Sequence, residues 1–312
     1  MGTQVSVLLP AYNERANLAE LVPEIVGVMQ GAGVSYEVLV VDDGSTDGTR
    51  SLLESLDAPG VGYLRLRRNA GKSAALSAGL TQVRGEHVVF MDADGQDDPR
   101  EILRLLEVLR DQGVDLVTGR RAERRDRFAK RASSKVYNRA TSLVTGVRGS
   151  DFNSGLKAMR RELADALELY GELHRYIPVL AEWQGFRVME VDVDHHERRH
   201  GESKFGRARF WRGFLDLITV KFLTTYTVRP FHLFGGLGLV MGLAGGGLLA
   251  WMLALRIGGQ EVGSRPAFLA GVLLAVVAVQ MVSLGLLAEL TVHLRRRRDL
   301  DAVIDHHPWS AP

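Results

Sequence analysis

The chain has 312 residues, of which 46% are hydrophobic, enough for one α/β domain of ordinary size and a smaller appended segment. Its 39 Lys and Arg residues nearly balance 37 Asp and Glu residues, and a net charge of +2 does not indicate a nucleic-acid-binding protein. The absence of cysteine excludes disulfides, thiolate metal sites and cysteine nucleophiles, so any metal ligand must be an oxygen atom or an imidazole nitrogen.

Short apolar runs alternate with amphipathic segments from the N-terminus onwards, which predicts a mostly parallel sheet covered by helices on both faces. The N-terminal run is too short for a signal peptide, so we expect the first strand to begin in the cytosol. The predicted strands cover residues 5–9, 37–41, 63–66, 87–91 and 116–118. A helix capped by Asn13 and ended by Gly31 and Gly33 follows the first strand. The later helices cover residues 49–56, 73–83 and 99–112.

Ligands of such sheets bind at the carboxyl ends of the strands, so the residues after each strand are the candidate site residues. After the first strand come Pro10, Tyr12 and Glu14, which offer an aromatic face and a carboxylate. Asp42 leaves the second strand and can accept hydrogen bonds from a base or a ribose; the alternative is a simple tight turn. After the third strand, residues 68–73 look like a phosphate loop but lack its first glycine, which excludes a Walker A motif.

The acidic loop after the fourth strand, residues 92–98, holds four carboxylates in seven residues. Carboxylates this close repel one another unless a cation joins them. Asp92, Asp94 and Gln96 alternate, so in an extended stretch their oxygen atoms point the same way and can bind a hard divalent ion that also takes phosphate oxygens. The alternative is a solvated turn in which Asp97 or Asp98 caps the next helix.

Residues 10–14, 41–45 and 92–96 together resemble the motifs of the inverting family 2 glycosyltransferases of the GT-A fold. Within them the chain is similar to the dolichyl-phosphate mannose synthase and undecaprenyl-phosphate glucosyltransferase branch. This resemblance implies a Rossmann-like GT-A sheet and sugar transfer from a nucleotide diphosphate-sugar to a polyprenyl phosphate. It also implies that Mg²⁺ or Mn²⁺ binds to Asp92, Asp94 and Gln96 with the diphosphate. The implied nucleoside-side residues are Pro10, Ala11, Tyr12, Glu14 and Asp42, with Lys72 nearby.

The basic segment 119–131 has seven Lys or Arg residues in thirteen, which is typical of a solvated charge run or of a surface that docks on anionic lipid. The resemblance places Arg120, and then Lys130 with Ser134, at the lipid phosphate. Lys130 stands where the family has arginine, and lysine cannot make a bidentate contact, so the neighbouring Arg131 is the alternative. Asp94 and these four residues form the predicted catalytic set.

Two further segments extend the resemblance. Residues 151–157 resemble the sugar-side loop of the family, and residues 198–205 resemble the element that closes over the donor diphosphate. In the second segment Arg199, Ser203 and Lys204 are the predicted binding residues, and a basic juxtamembrane patch is the alternative. His195 and His196 alternate along a predicted strand, so they point to opposite faces and make a poor metal chelate.

Residues 231–255 and 267–288 contain no Asp, Glu, Lys or Arg and are long enough to cross a membrane. A buried hairpin of a soluble domain is the alternative, but Gly238, Gly242 and Gly246 have the small-xxx-small spacing of membrane helices and offer a contact for a homo-oligomer. Basic residues flank the pair of spans on both sides, which predicts that both flanks face the cytoplasm. Residues 205–228 combine aromatic residues with cations, as an amphipathic helix at the headgroups or on a domain surface does.

The sequence thus predicts a cytosolic catalytic domain (1–204), amphipathic juxtamembrane helices (205–229), a transmembrane hairpin (230–294) and a basic cytosolic tail (295–312) in the cytoplasmic membrane. An inverting enzyme with UDP-glucose or GDP-mannose as the favoured donor gives a β-linked polyprenyl-phosphate sugar for cell-envelope glycan or glycoprotein assembly. N-acetylglucosamine and modified pentoses stay open. A processive polysaccharide synthase would need more spans and a Gln-x-x-Arg-Trp-like motif, and a membrane scaffold would bind nucleotide without turnover.

Overall fold

A computed structural model of the chain describes residues 3–55, 58–121, 141–142, 145–147, 149, 151–196, 219–222, 230–262 and 266–296. The chain divides into two compact units, Met1–Val220 and Lys221–Pro312. The predicted domain boundary at residue 204 lies outside the described residues. So does the predicted amphipathic segment, apart from a short helical stretch at 219–222.

Within the described residues of the first unit, seven strands form one sheet in the order β3-β2-β1-β4-β6-β5-β7. Strand β6 runs antiparallel to both of its neighbours, β4 and β5, and the remaining neighbouring pairs are parallel. The predicted mostly parallel sheet is therefore confirmed. The strands are β1 (Val5–Ala11), β2 (Tyr36–Asp42), β3 (Val61–Arg65), β4 (His87–Phe90), β5 (Leu116–Arg121), β6 (Lys157–Arg160) and β7 (Val188–Val193).

Strands β1 and β5 continue two and three residues past their predicted ends, because pairing with a neighbour carries them past their apolar runs. In β1, Pro10 and Ala11 pair with Val41 and Asp42 of β2. Strand β5 continues to Arg121 because β7, which the apolar pattern did not delimit, pairs with it over six residues. The extension of β5 carries two charged residues, Arg120 and Arg121, to the carboxyl edge of the sheet.

Helices cover both faces of this sheet, as predicted. The four apolar residues expected on one face of α1, Leu18, Leu21, Ile25 and Met29, are all buried. On the other face α3 packs so closely that a Cβ atom at Gly79 would lie 2.3 Å from a methyl carbon of Leu8. The helices of the first unit are α1 (Arg15–Gly31), α2 (Thr49–Ser55), α3 (Lys72–Leu80), α4 (Arg100–Asp111), α5 (Arg161–Ala166) and α6 (Ile177–Trp183).

The two ends of α1 test the predicted helix signals. The helix ends at Gly31, and Gly33 has a φ of 66°, so the glycine stop signal is confirmed. The prediction that Asn13 caps the helix is wrong, because Glu14 is the N-cap residue. Asn13 instead has a φ of 54°, and its side-chain oxygen accepts a hydrogen bond from the backbone N–H of Thr46 at 2.8 Å. Asn13 thereby ties the loop after β1 to the loop after β2.

In the described part of the second unit, two long helices, α7 (Pro230–Ile257) and α8 (Pro266–Arg296), pack antiparallel against each other. Both are long and apolar enough to cross a membrane. Only 17% and 11% of their most apolar windows are buried, whereas a core helix of a soluble protein is mostly buried. These features fit the predicted transmembrane hairpin.

Glycines of α7 make close approach to α8 possible. A Cβ atom at Gly238 would lie 2.9 Å from the carbonyl oxygen of Ala278, and one at Gly245 would lie 2.9 Å from that of Gly271. Gly246 has no atom within 4 Å of such a Cβ, and its neighbour Gly245 is the residue that approaches α8. The reason is that seven residues, rather than eight, come closest to two full helical turns. These glycines serve packing within the hairpin.

Candidate functional site

Hydrogen bonds join the loops after β1, β2 and β3 at the carboxyl edge of the sheet. The backbone N–H of Asn13 donates to the hydroxyl of Ser45 at 2.8 Å. The carboxylate of Asp43 accepts the backbone N–H groups of Ala70 and Gly71 at 2.7 and 2.9 Å. Since Asp43 is buried, these bonds fix the position of the loop that leads into α3.

The side chain of Lys72 connects the third loop to the acidic loop. Lys72 is the first residue of α3, and its Nζ atom contacts the Oδ1 atom of Asp92. Both side chains remain about one-third exposed, at 31% and 34%. The four polar loops expected at this edge are therefore in mutual contact.

Burial alternates along the acidic loop. Asp92, Asp94, Gln96 and Asp98 are partly exposed, whereas the intervening residues are buried. The prediction of an extended loop is wrong for part of its length, because residues 93–94 form a turn and Gly95 has a φ of 69°. The three predicted metal ligands nevertheless share the open side of the loop.

These three side chains offer two carboxylates and one amide. The side-chain nitrogen of Gln96 donates to the carbonyl oxygen of His196 at 3.2 Å, so its amide oxygen is the atom suited to a cation. Oδ1 of Asp94 accepts the backbone N–H of Gln96 at 3.3 Å. Among the described residues, no group of three His, Asp or Glu side chains could hold a metal ion. The proposed ligand set contains only two carboxylates, and its third ligand is the amide of Gln96, so it does not conflict with that result. Oxygen atoms of these types suit Mg²⁺ or Mn²⁺.

Positive charges surround Asp92. Burial by itself would raise the pKa of Asp92, but Lys72, Lys157 and Arg121 lower it below its ordinary value. Lys157 is the first residue of β6, and its Nζ atom contacts the carbonyl oxygen of Ser154. Burial, together with the charge of Lys72, lowers the pKa of Lys157 to about 8. Asp92 is therefore ionised at neutral pH, and its charge is already balanced by protein cations.

The segment 151–157, which resembles a sugar-side loop, lies directly against Asp92. A Cβ atom at Gly155 would lie 2.4 Å from the Cγ atom of Asp92, so glycine is required for this approach. The sequence analysis singled out this segment but did not predict that Lys157 lies near Asp92, because nothing in the sequence indicates that β6 inserts between β4 and β5.

The two arginines at the end of β5 have different surroundings, since adjacent residues of a strand point to opposite faces. Arg120 pairs with Asp192 at the surface, at 2.5 and 2.8 Å. Arg121 donates to the buried Asp151 at 2.7 and 2.8 Å, and its charge contributes to lowering the pKa of Asp92. The sequence prediction that selected Arg120 therefore missed the arginine that lies near the acidic loop.

The predicted nucleoside-side residues lie at adjacent ends of β1 and β2. Tyr12 is exposed, and Glu14 accepts a hydrogen bond from Asn17 at 2.6 Å. Asp42 is fully buried, with Oδ1 accepting the N–H of Ser45 at 2.8 Å and Oδ2 3.3 Å from the Nε of Arg65. A nucleoside can reach Asp42 only if neighbouring side chains such as Arg65 move.

The histidines after β7 pair with the acidic loop. Strand β7 ends at Val193, and beyond it His195 forms an isolated antiparallel bridge with Asp97. Nδ1 of His195 lies 3.1 Å from Asp97, and Nε2 of His196 lies 3.6 Å from Asp98. These contacts hold the end of β7 against the acidic loop.

Asp98 also meets the start of α4. Its Oδ1 atom accepts the backbone N–H of Arg100 at 2.8 Å, the contact considered for Asp97 or Asp98 from sequence. The remaining predicted site residues lie outside the described residues and stay predictions: Lys130, Arg131, Ser134, Arg199, Ser203 and Lys204.

Known proteins resemble this chain over most of its length. The family model described as Glycosyl transferase family 2 matches residues 6–167. Dodecaprenyl-phosphate galacturonate synthase of Rhizobium johnstonii is 36% identical over 310 residues, covering 95% of this chain and 90% of that protein. Undecaprenyl-phosphate 4-deoxy-4-formamido-L-arabinose transferase of Edwardsiella ictaluri is 36% identical over 288 residues, covering 91% and 87%.

Solved structures with the same fold share less sequence. Mannosyl-3-phosphoglycerate synthase from Rubrobacter xylanophilus has a TM-score of 0.55 at 22% identity, covering 70% of this chain and 73% of that one. Glucosyl-3-phosphoglycerate synthase from Mycobacterium tuberculosis, in complex with Mn²⁺ and UDP-glucose, has a TM-score of 0.54 at 22% identity, covering 71% and 79%. At this identity the likeness shows the fold alone, and it confirms the predicted GT-A architecture.

Proposed function

The chain belongs to glycosyl transferase family 2, and we propose that it transfers a sugar from a nucleotide diphosphate-sugar to a polyprenyl phosphate, with inversion at the anomeric carbon. The observation that carries this proposal is the acidic loop, whose Asp92 lies against Lys72 and within the field of Lys157 at the carboxyl edge of the sheet. The acceptor class is supported by relatives that match nearly the whole chain and are named for dodecaprenyl and undecaprenyl phosphate.

Asp92, Asp94 and Gln96 would hold the divalent ion. The choice of Mg²⁺ or Mn²⁺ follows from their oxygen ligands, and a protein of the same fold was crystallised with Mn²⁺ and UDP-glucose. When bound, such an ion neutralises the charge that develops on the departing diphosphate.

The reaction requires no general base. An oxygen of the acceptor phosphate attacks the anomeric carbon, the bond from that carbon to the diphosphate breaks, and the nucleoside diphosphate leaves with the electron pair. A phosphate monoester is mostly dianionic at neutral pH, its second pKa being about 6, so no proton has to be removed. Attack from the opposite side gives a β-linked product from an α-linked donor.

The main obstacle is repulsion between two anionic reactants. Arg121 supplies positive charge beside the acidic loop, and Arg120 with Lys130 or Arg131 and Ser134 is proposed to hold the acceptor phosphate. The nucleoside is proposed to bind to Tyr12, Glu14 and Asp42. The diphosphate is proposed to bind to Lys72, with further contacts from Arg199, Ser203 and Lys204. Positioning both reactants lowers the barrier by removing the entropy cost of their encounter.

The donor sugar favoured from sequence differs from the sugars for which the relatives are named. UDP-glucose and GDP-mannose are the donors favoured from sequence, yet the similar relatives are named for galacturonate and a formamido-arabinose. A donor screen therefore includes a uridine-linked uronic acid and a uridine-linked amino pentose. The two apolar helices support a location in the cytoplasmic membrane, and the flanking basic residues support cytosolic termini and a cytosolic catalytic domain.

The proposal is tested with membranes that contain the full chain, a panel of radiolabelled nucleotide-sugars, and polyprenyl phosphate added or withheld. We expect one donor to yield labelled glycolipid and an equal amount of nucleoside diphosphate, only when polyprenyl phosphate and a divalent ion are present. A scaffold protein would release no nucleotide. A processive synthase would release nucleotide whether or not the lipid is supplied.

A further inference from the structure

We infer that Lys72 competes with the divalent cation for the carboxylate of Asp92, and that its ammonium group binds the donor diphosphate once the cation has taken that carboxylate. This inference rests on the proposed function and deepens it, because it assigns two successive partners to one side chain.

The loop before α3 fixes the backbone of Lys72 at the helix N-terminus, and there the charged side chain needs an anionic partner. Asp43 fixes the preceding loop, and Gly71, with a φ of 91°, turns the chain into α3. A helix N-terminus carries partial positive charge, so a lysine at the first position is unfavourable unless an anion compensates it. Among the described residues, Asp92 is the carboxylate that Lys72 contacts. A diphosphate, which helix N-termini also attract, is a suitable second partner.

The cation and Lys72 need the same side of Asp92. The backbone at Gly155 closes one side of the carboxylate, because a Cβ atom there would lie 2.5 Å from Oδ2 of Asp92. Lys72 contacts the other oxygen, Oδ1, and both side chains remain about one-third exposed. An incoming cation therefore meets an ammonium group on the open side and must displace it from direct contact.

Charge balance gives the exchange a direction. Three cations, Lys72, Lys157 and Arg121, interact with Asp92, and the nearby carboxylates of Asp151 and Asp97 bring the negative charges to three as well. Adding a divalent ion to this balanced group leaves an excess of positive charge, which the negatively charged diphosphate offsets. The diphosphate gains one further negative charge when its bond to the sugar breaks, and a lysine freed from Asp92 stabilises that charge.

The test measures two affinities of the full-length protein purified in detergent. The first is the Kd for Mn²⁺ alone, from the electron paramagnetic resonance signal of free Mn²⁺. The second is the Kd for UDP or GDP at saturating Mn²⁺, using whichever nucleotide the unmodified protein binds. Lys72→Met should bind Mn²⁺ about tenfold more tightly and the nucleotide about tenfold more weakly, the scale of one close charge pair.

Matched variants separate this exchange from a general charge effect. Lys72→Arg keeps the charge and should stay close to the unmodified protein in both affinities. Arg84→Met removes an exposed charge next to the amino end of β4, opposite the site, and should change neither affinity. Lys72→Gln, with a polar side chain, replaces Lys72→Met if the latter unfolds, and the same opposite shifts are expected.

A structural role for Lys72 would weaken both affinities together, and that result overturns the inference while leaving the proposed function intact. Unchanged Mn²⁺ affinity in the folded Lys72→Met protein overturns it as well. If the unmodified protein with Mn²⁺ binds neither UDP nor GDP, the proposed function fails and the inference fails with it.

Discussion

Arg121 donates two hydrogen bonds to Asp151, at 2.7 and 2.8 Å, and so connects the end of β5 to the segment that leads into β6. The side chain of Asp151 is 3% exposed and that of Arg121 is 21% exposed. In the neighbouring pair, Arg120 and Asp192 are 45% and 47% exposed. The same type of bidentate ion pair thus occurs in two very different environments on consecutive residues.

This difference predicts unequal losses of stability. Arg121→Ala removes the arginine from the buried carboxylate of Asp151, and removing one member of a buried ion pair typically costs about 3 to 5 kcal/mol. Arg120→Ala removes a solvent-exposed pair, typically worth about 1 kcal/mol or less. The free energy of unfolding of both variants, measured with denaturant in detergent, checks this prediction. Equal losses would mean that Asp151 does not depend on Arg121.

Gly155→Ala should impair cation binding, because the added methyl group would push the carboxylate of Asp92 out of position. We expect the Kd for Mn²⁺ to rise at least about tenfold, with a stability loss of about 1 to 3 kcal/mol from the clash. Gly62→Ala is the matched control, since a Cβ atom there would be 3.8 Å from its nearest neighbour. Unchanged Mn²⁺ binding in Gly155→Ala would exclude Asp92 as a ligand at its present position.

Because of Lys157, the free energy of unfolding should depend on pH in the alkaline range. Burial and the nearby Lys72 lower the pKa of its side chain from 10.5 to about 8 in the folded protein. Between these two values the unfolded chain binds more protons than the folded chain, so stability rises with pH from about 8 to about 10.5. Lys157→Met should lose this rise, which is on the order of 1 to 3 kcal/mol. Unfolding free energies at several pH values test it, and parallel profiles for the two proteins would contradict it.

Adjacent glycines in the first apolar helix should respond differently to alanine. A Cβ atom at Gly245 would lie 2.9 Å from Gly271 and Leu274 of the second helix, so Gly245→Ala should separate the helices and lower the Tm in detergent. Gly246→Ala should leave the Tm unchanged, because no atom lies within 4 Å of its added methyl group. Equal effects of the two substitutions would contradict the observed packing of the hairpin.

The features that the sequence predicts correctly depend on local patterns. Uninterrupted apolar runs identify the central strands because these are covered on both faces, and the spacing from Leu18 to Met29 identifies the buried face of α1. The density of carboxylates marks the acidic loop, since such charges are costly to place together without a cation. The two apolar helices are recognised by length and composition alone.

The errors come from contacts between residues distant in sequence. Lys157 lies near Asp92 because β6 enters the sheet antiparallel between β4 and β5, and a four-residue strand gives no sequence signal of such a position. Arg121 belongs to the site because β7 extends β5 by pairing with it. Asn13 is a good helix cap by residue type, but its hydrogen bonds to the loop after β2 compete with that role.

The most direct test of the central claim is the rate of nucleoside diphosphate release by membranes carrying Asp94→Ala, with the preferred donor, polyprenyl phosphate and Mn²⁺. Asp98→Ala, four residues further along the same loop and contacting Arg100 and His196, is the matched control. We expect Asp94→Ala to remain folded, with the Tm of the unmodified protein, and to lose transfer by at least about a thousandfold, whereas Asp98→Ala retains turnover. Transfer by folded Asp94→Ala at a rate near that of the unmodified protein would contradict a cation held by the acidic loop.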